Sequence, residues 1–410
     1  MLNPMRSALV LTSLAIFLSA AVFAPLPATA QKLKVLYEFK GGEDGLEPSG
    51  GLVQDAAGNF YGTTISGGGS TNCHEGCGTV YKLDTHGKET VLYRFTGLSD
   101  GQYPWPVVLD KAGNIYGTTF QGGISNCENY GSCGVVYKLE PGGTFTVLHT
   151  FKGEPNSDGA NPESGLVMDS SGNLYGTTVD GGTPGGCPNW YPPGCGTVYK
   201  IDTHGKETIL HYFDGEDGQN PSAGLILDRQ GDLYGSTLNG AYRFGTVFKL
   251  SPDGKETVLH NFSGGPPDNG YPYDGLARDD TGNLYGTTEW HPSGSNIYGT
   301  VFKLSPKGDA LTTLFTFDLL DGGYPLSGLI RDSAGALYGT TAYGGNCKYN
   351  GCGTVFRVDR NGDETVLYNF HTGPDGHAPS GILLRDQAGN LYGTSQGGTH
   401  HAGLIYEITH

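Results

Sequence analysis

Leu174-Tyr175-Gly176-Thr177-Thr178 decides the architecture, because this five-residue string returns with small variation in six other places. Its tyrosine falls at Tyr61, Tyr116, Tyr175, Tyr234, Tyr285, Tyr338 and Tyr392, at intervals of 55, 59, 59, 51, 53 and 54 residues. A period of that size holds about four short strands and cannot bury both of its faces alone, so the copies must stack on one another. The strands are legible in the first copy: Gly51–Asp55 (a), Phe60–Thr64 (b), Gly78–Leu83 (c) and Thr90–Phe95 (d). Each is a run of β-branched and aromatic residues bounded by Asp, Asn and Gly.

The two ends of the array separate a closed ring from an open solenoid. Lys34-Val35-Leu36-Tyr37-Glu38-Phe39 is a d strand that precedes the first a strand, and Gly403-Leu404-Ile405-Tyr406-Glu407-Ile408 is a final c strand. An open stack would leave both with raw edges, whereas a ring lets the first strand complete the last unit. The expected fold is therefore all-β: a seven-bladed β-propeller of four-stranded antiparallel blades, closed by the N-terminal strand. Its repeats run over about 35–90, 91–146, 147–208, 209–257, 258–312, 313–365 and 366–410.

Composition agrees. Of 410 residues 70 are glycine, far above the ordinary ~7%, yet they are periodic and accompany 25 Tyr and 17 Phe that a disordered chain would lack. Net charge is -17 and no Lys/Arg run occurs, which excludes nucleic acid and disfavours anionic membranes as partners. Residues 1–30 carry Arg6, the apolar stretch Ala8–Phe23 and Ala28-Thr29-Ala30, the pattern of a secretory signal peptide cleaved near Ala30. Residues 31–410 are then one propeller, secreted or periplasmic, released from the membrane and expected to be monomeric.

Tyr-Gly-Thr-Thr following Ala-Gly-Asn, with Gly-Thr-Val-Phe-Lys-Leu downstream, resembles the GloVer tandem-repeat family of secreted bacterial proteins over Lys34–His410. The resemblance implies a secreted propeller-like array and almost nothing about chemistry.

Function must lie in the loops. In a propeller the a-b and c-d turns share one face and the b-c and d-a loops the other. Asp55, Asp110, Asp169, Asp228, Asp279, Asp332 and Asp386 open near-constant a-b turns, read as turn chemistry, with calcium the one cofactor they suggest. The d-a loops carry Asp-Gly-x-x-Pro at Asp100, Asp158, Asp217, Asp321 and Asp375, with Glu43, Asp44 and Glu47 in the first copy. These are turns that return the chain to the axis, or a carboxylate ring around the channel mouth.

All eight cysteines sit in b-c loops as four local pairs, Cys73 with Cys77, Cys127 with Cys133, Cys187 with Cys195, and Cys347 with Cys352. Secretion and confinement to single loops select four disulfides over zinc, rigidifying that face. Tyr103 and Trp105, Trp190 and Tyr191, Trp290 and Tyr324 lie in loops of the same face, where exposed aromatics beside carboxylates suit sugar rings; the competing reading is that they seal gaps between blades. His149, His211 and His260 stand where other d strands have Tyr or Phe and read as packing variants. His377, with His400 and His401, is the histidine group a metal or base would use. No phosphate loop or His-Glu-x-x-His occurs. The expected role is a non-enzymatic module binding an extracellular glycan or protein partner, ahead of a polysaccharide lyase or glycoside hydrolase at the channel mouth, and of a structural envelope scaffold.

Overall fold

The computed structural model describes residues 31–123, 127, 131–153, 157–182, 187, 194–265, 268–289, 297–347 and 351–409; the signal segment, Trp190, Tyr191 and Trp290 lie outside them. Among these residues there is no helix. Seven antiparallel sheets follow one another as the blades of a β-propeller. In blade 1 strand a spans Leu46–Gln54, b Phe60–Ser66, c Thr79–Leu83 and d Glu89–Arg94, paired in that order. Blade 7 is built from His377–Arg385, Leu391–Gln396, Leu404–Thr409 and, outermost, Lys32–Glu38. Lys32 pairs with Thr409 and Glu38 with Leu404, so the out-of-phase N-terminal strand closes the ring.

The repeated string works residue by residue. Its tyrosine hydroxyl donates to the a-b aspartate of the same blade, as Tyr175 does to Asp169 at 3.1 Å. Its glycine lies under the strand-c ring: a Cβ at Gly176 would stand 2.5 Å from the Tyr199 hydroxyl and 2.7 Å from Cζ. Its first threonine reaches the next blade. Thr63 bonds the Trp105 carbonyl, Thr118 that of Ser164, Thr177 that of Ala223, Thr287 that of Pro325 and Thr340 that of Pro379. Ser236 does the same to Pro272, and Thr394 closes the circle on Gly50 at 3.2 Å. In five blades its second threonine meets a strand-c threonine, as Thr178 meets Thr197 at 2.9 Å.

Between blades, one apolar cluster fills each interface. Phe151 of blade 2, for example, packs with Leu166, Leu174, Tyr199 and Ile201 of blade 3. Every d strand also bulges at a leucine, such as Leu92 between the paired Val91 and Tyr93. The bulge turns the following residue toward the neighbouring blade.

The strand-c position that covers the glycine is Tyr81, Tyr137, Tyr199 and Tyr406 in four blades and Phe248, Phe302 and Phe356 in three. The hydroxyls of Tyr137, Tyr199 and Tyr406 are buried without a hydrogen-bond partner. An unpaired buried hydroxyl is a liability of about 1–3 kcal/mol. Tyr199→Phe should therefore leave the melting temperature unchanged or raise it, whereas Gly176→Ala, which forces the ring and Leu166 outward, should lower it by an overpacking cost of about 1–3 kcal/mol or more. Calorimetry of both variants checks this, and a destabilised Tyr199→Phe would contradict it.

Candidate functional site

The two faces differ as their sequences do. On the a-b face each aspartate is consumed by its turn: Asp55 Oδ1 accepts the Ala57 and Asn59 amides, and Oδ2 accepts Asn59 Nδ2 and the Tyr61 hydroxyl. Burial alone would raise such a carboxyl, but these bonds outweigh it and hold Asp55, Asp110, Asp169, Asp279, Asp332 and Asp386 below the usual range. A groove of about 530 Å³ on this face, between the turns of blades 3 and 4, is lined mainly by such turn residues.

On the opposite face the Asp-Gly-x-x-Pro aspartates do not ring the channel. They stand at the outer edge, beneath the d strands. Tyr37, Tyr93 and Tyr368 donate to Asp44, Asp100 and Asp375, while His211 and His260 pair with Asp217 and Asp268 at 2.8 and 3.1 Å. Each aspartate also caps a backbone amide where the d strand ends, as Asp100 does that of Thr96. His211 and His260 are thus more than packing variants, because they make the same bond as the tyrosines they replace.

The cysteines pair as expected: Cys73–Cys77, Cys127–Cys133, Cys187–Cys195 and Cys347–Cys352. The second cysteine of each pair is buried at a blade interface, so the bridge is a wedge as well as a loop clasp. Phe244, Tyr298 and Ala402 stand at the same position in the blades without a disulfide. In all seven blades this residue's carbonyl accepts the amide of the residue before the loop proline, from Glu47 to Ala402 through Ala378 to Cys352.

That pre-proline residue is the strained point of the face. Glu47, Tyr103, Asn161, Asn220, Tyr271, Tyr324 and Ala378 all have φ between 45° and 59°. The left-handed region costs a residue with a Cβ about 1–2 kcal/mol, least for asparagine, whose side chain bonds locally. Asn161 and Asn220 instead bond across to the preceding blade, reaching the Phe120 and Val179 carbonyls. Tyr103, Tyr271 and Tyr324 hold the position with an aromatic ring instead. Tyr324 stands 6.1 Å from the Tyr298 ring and 5.3 Å from that of Tyr343, which is 45% exposed, and Tyr271 lies edge-on to Phe244.

Past the proline the chain reaches the axis. The first residue after it is Ser49, Trp105, Glu163, Ser222, Tyr273, Leu326 or Ser380, different in most blades. Deeper in, five equivalent positions are glycine and two are plugs. Pro106 approaches Gly50 and Gly165, and Ile382 approaches Gly51, Gly275 and Gly328, so these two side chains occupy the axis. Above them the blade 3 to blade 5 sector is acidic. Burial pushes Glu163 and Asp180 each up to about 7, the charge of Glu163 adding to Asp180, and burial also raises Glu289. Asp274 is raised by burial too, although the Gly275 and Gly328 amides that it accepts oppose this. The Tyr273 hydroxyl, pushed up to about 12 by burial and then by Glu163, Glu289 and Asp274, stays protonated among them.

The residues expected to carry function are thus partly assembled. Trp105 and Tyr103 flank Pro104 at the blade 2 corner, with Trp105 Nε1 buried and unpartnered. Tyr324 leads the tyrosine cluster of blades 5 and 6. His377 begins strand a of blade 7 opposite Gln396, whereas His400 turns to the ring closure, 3.2 Å from Glu38. Glu163, Asp180, Asp274 and Glu289 were missed; aligning the residues that follow the loop prolines would have exposed Glu163 and Asp274, since that is where the copies disagree.

Residues 19–240 and 190–406 match the Gloeobacter/Verrucomicrobia repeat. No curated protein matches the chain. Among solved structures, the extracellular domain of BT4673, a proposed one component system of B. thetaiotaomicron, is similar with a TM-score of 0.57 at 12% identity, over 92% of this chain and 40% of that one. The extracellular domain of BT3049, a proposed hybrid two component system of B. thetaiotaomicron, gives 0.56 at 12% identity, over 92% and 41%. This chain therefore spans about two fifths of those two chains. XC5397 from Xanthomonas campestris, described as a gluconolactonase, gives 0.46 at 13%, over 92% and 89%.

The raised carboxyls have a measurable signature. Glu89, Glu256 and Glu364 at the blade interfaces are also pushed up to about 7, by burial first and then by Asp44, Asp217 and Asp321. A carboxyl raised by folding binds more protons folded than unfolded, so its stabilising contribution is full below its ordinary value and is lost as pH rises through about 7. The melting temperature should be higher at pH 5.5 than at pH 8, and Glu163→Gln with Asp180→Asn should flatten the difference. Scanning calorimetry across this range checks the sign, and a rise toward pH 8 would refute it.

Proposed function

This chain belongs to the Gloeobacter/Verrucomicrobia repeat family, and from its b-c and d-a loop face we propose that it is an extracellular module that binds glycan. The carrying observation is the placement of Tyr103, Tyr271 and Tyr324 in left-handed backbone beside an axial mouth where three blades present serine and the other four present Trp105, Glu163, Tyr273 and Leu326. The fold does not need tyrosine there, because glutamate, asparagine and alanine fill the same position in other blades. Tyrosine kept at a left-handed position that asparagine would fill at less cost points to a site. Aromatic rings stack on sugar faces, and carboxylates accept from sugar hydroxyls.

The charge narrows the ligand. A net charge of -17 and an acidic mouth repel uronates and favour neutral or amino-bearing sugars. The four disulfides, together with the extracellular domains that share the fold, support a secreted or periplasmic location. On an array of neutral, amino and uronate glycans the protein should bind the first two classes. Trp105→Ala and Tyr324→Ala should each abolish the signal without lowering the melting temperature; undiminished binding in both would overturn the reading.

One observation favours an enzymatic second reading. Glu163 and Asp180 are two neighbouring carboxyls raised into the range where one can serve as general acid. A glycoside hydrolase fits them better than a lyase, since an acidic mouth opposes the neutralisation that a uronate substrate requires. If so, reducing ends should accumulate from neutral polysaccharides and Glu163→Gln should stop them. No product across a broad panel leaves binding as the function.

A further inference from the structure

The seven blade interfaces repeat one arrangement at their outer edge: a d-strand residue, the loop aspartate that follows it, and the residue that opens strand d of the next blade. In chain order the first is Tyr37, Tyr93, His149, His211, His260, Phe315 and Tyr368. The third is Glu89, Phe145, Glu207, Glu256, Leu311, Glu364 and, across the closure, Leu33. Histidine, aspartate and glutamate meet only where blade 2 joins blade 3 and where blade 3 joins blade 4.

These two interfaces are not alike. Between blades 3 and 4, His211 Nε2 bonds directly to Asp217 at 2.8 Å, as His260 does to Asp268 at 3.1 Å in the next interface. Between blades 2 and 3, His149 Nε2 stands back from both carboxylates, 3.4 Å from Asp158 Oδ2 and 3.6 Å from Glu207 Oε1. One donor atom from each residue lies within 4.8 Å of the others. His149 Nε2 and Glu207 Oε1 are both buried and hydrogen-bonded to nothing, and Asp158 is itself buried.

Ligands about 2.0–2.2 Å from a tetrahedral zinc ion stand roughly 3.3–3.6 Å apart. The two measured separations match that edge. The set is also chemically apt, since a neutral imidazole nitrogen and two carboxylate oxygens suit zinc or manganese better than calcium. Asp158 is oriented for the task by the Lys152 and Gly159 amides, which donate to Oδ2 and Oδ1 at 2.9 and 2.7 Å. The His149 ring is held edge-on to Phe151 at 4.8 Å. Lys152 is the cation that acts on Glu207 besides His149, and it is the weaker of the two.

We propose that His149, Asp158 and Glu207 form a site for a divalent transition-metal ion, of the zinc class, that pins blade 2 to blade 3. The ion would take its remaining ligands from water, and it would offset the repulsion between the Asp158 and Glu207 carboxylates that the interface sets side by side. The site lies at the outer edge of the ring, and none of its three residues belongs to the proposed glycan site.

The test uses the disulfide-intact, tag-free protein, stripped with chelator and titrated with Zn2+. The expected result is one tightly bound Zn2+ per chain, a rise in melting temperature on loading, and visible d-d absorption when Co2+ replaces it. His149→Phe and Glu207→Leu place at this interface the residues that Phe315 and Leu311 supply at others, so both variants should fold; both should lose the ion. His260→Phe should retain it. Zinc uptake by the wild type no greater than that of His149→Phe, or uptake undiminished in both ligand variants, would overturn the proposal.

Discussion

The hydroxyl that closes each blade onto the next is the interaction on which the molecule depends. Seven times, a threonine or serine in strand b donates to a backbone carbonyl near the start of the neighbouring strand a, and the seventh bond, from Thr394 to Gly50, joins residues 344 apart in sequence. Each is worth about 1 kcal/mol net, and in five blades the partner residue is buried, so losing the hydroxyl there would also leave an unsatisfied acceptor. The glycine before the threonine follows from the same need. Strand b must lie close against the strand-c ring for the hydroxyl to reach across, and a Cβ at that point would meet the ring at 2.4 to 2.7 Å in every blade.

Those bonds fix the start of strand a by its backbone and leave its side chains free. In blades 3 to 6 the paired part of strand a is only two residues long, as in Val167–Met168 and Ile330–Arg331. The segment between the loop proline and that short strand carries no ladder of its own. Its side chains can therefore differ without disturbing the ring, which is why Trp105, Glu163, Tyr273 and Leu326 occupy equivalent places. The a-b face has no such freedom, because its aspartate, asparagine and tyrosine bond to one another within each turn.

The architecture was legible because its signals are local. The strand pattern, the turn glycines, the pairing of cysteines within loops and the phase shift of Lys34–Phe39 against Gly403–Ile408 all lie within a few residues of one another, and strand ends moved by only one or two positions, except that strand a of blade 1 starts at Leu46. What was not legible depends on closure. Asp100 and Asp158 read as turn residues or as mouth carboxylates, and only the structure decides for the turn, since each caps a backbone amide at the end of the outer strand it follows. Glu163 and Asp274 lie in different blades, 111 residues apart, and only the ring places both in the mouth. The same holds for the buried cysteine of each pair, whose role at the interface needs the next blade to be present.

Internal repetition also turns the chain into its own set of controls. At the outer interfaces the d-strand residue is tyrosine, histidine or phenylalanine against a constant aspartate, and the opposing residue is glutamate, phenylalanine or leucine. Phe145 stacks on Tyr93 with centroids 4.0 Å apart, so an aromatic fills the place of a glutamate by dispersion alone. Leu311 and Leu33 show that an aliphatic serves too. The glutamates at Glu89, Glu207, Glu256 and Glu364 are therefore not required by packing, and each keeps one carboxylate oxygen buried and unbonded. A buried, unpaired acceptor is among the more expensive features an interface can hold, and replacing it with an apolar residue of similar size is often neutral or favourable. That four of seven interfaces keep the carboxylate where leucine or phenylalanine demonstrably fits means its chemistry, proton-holding or ion-holding, is what the position supplies.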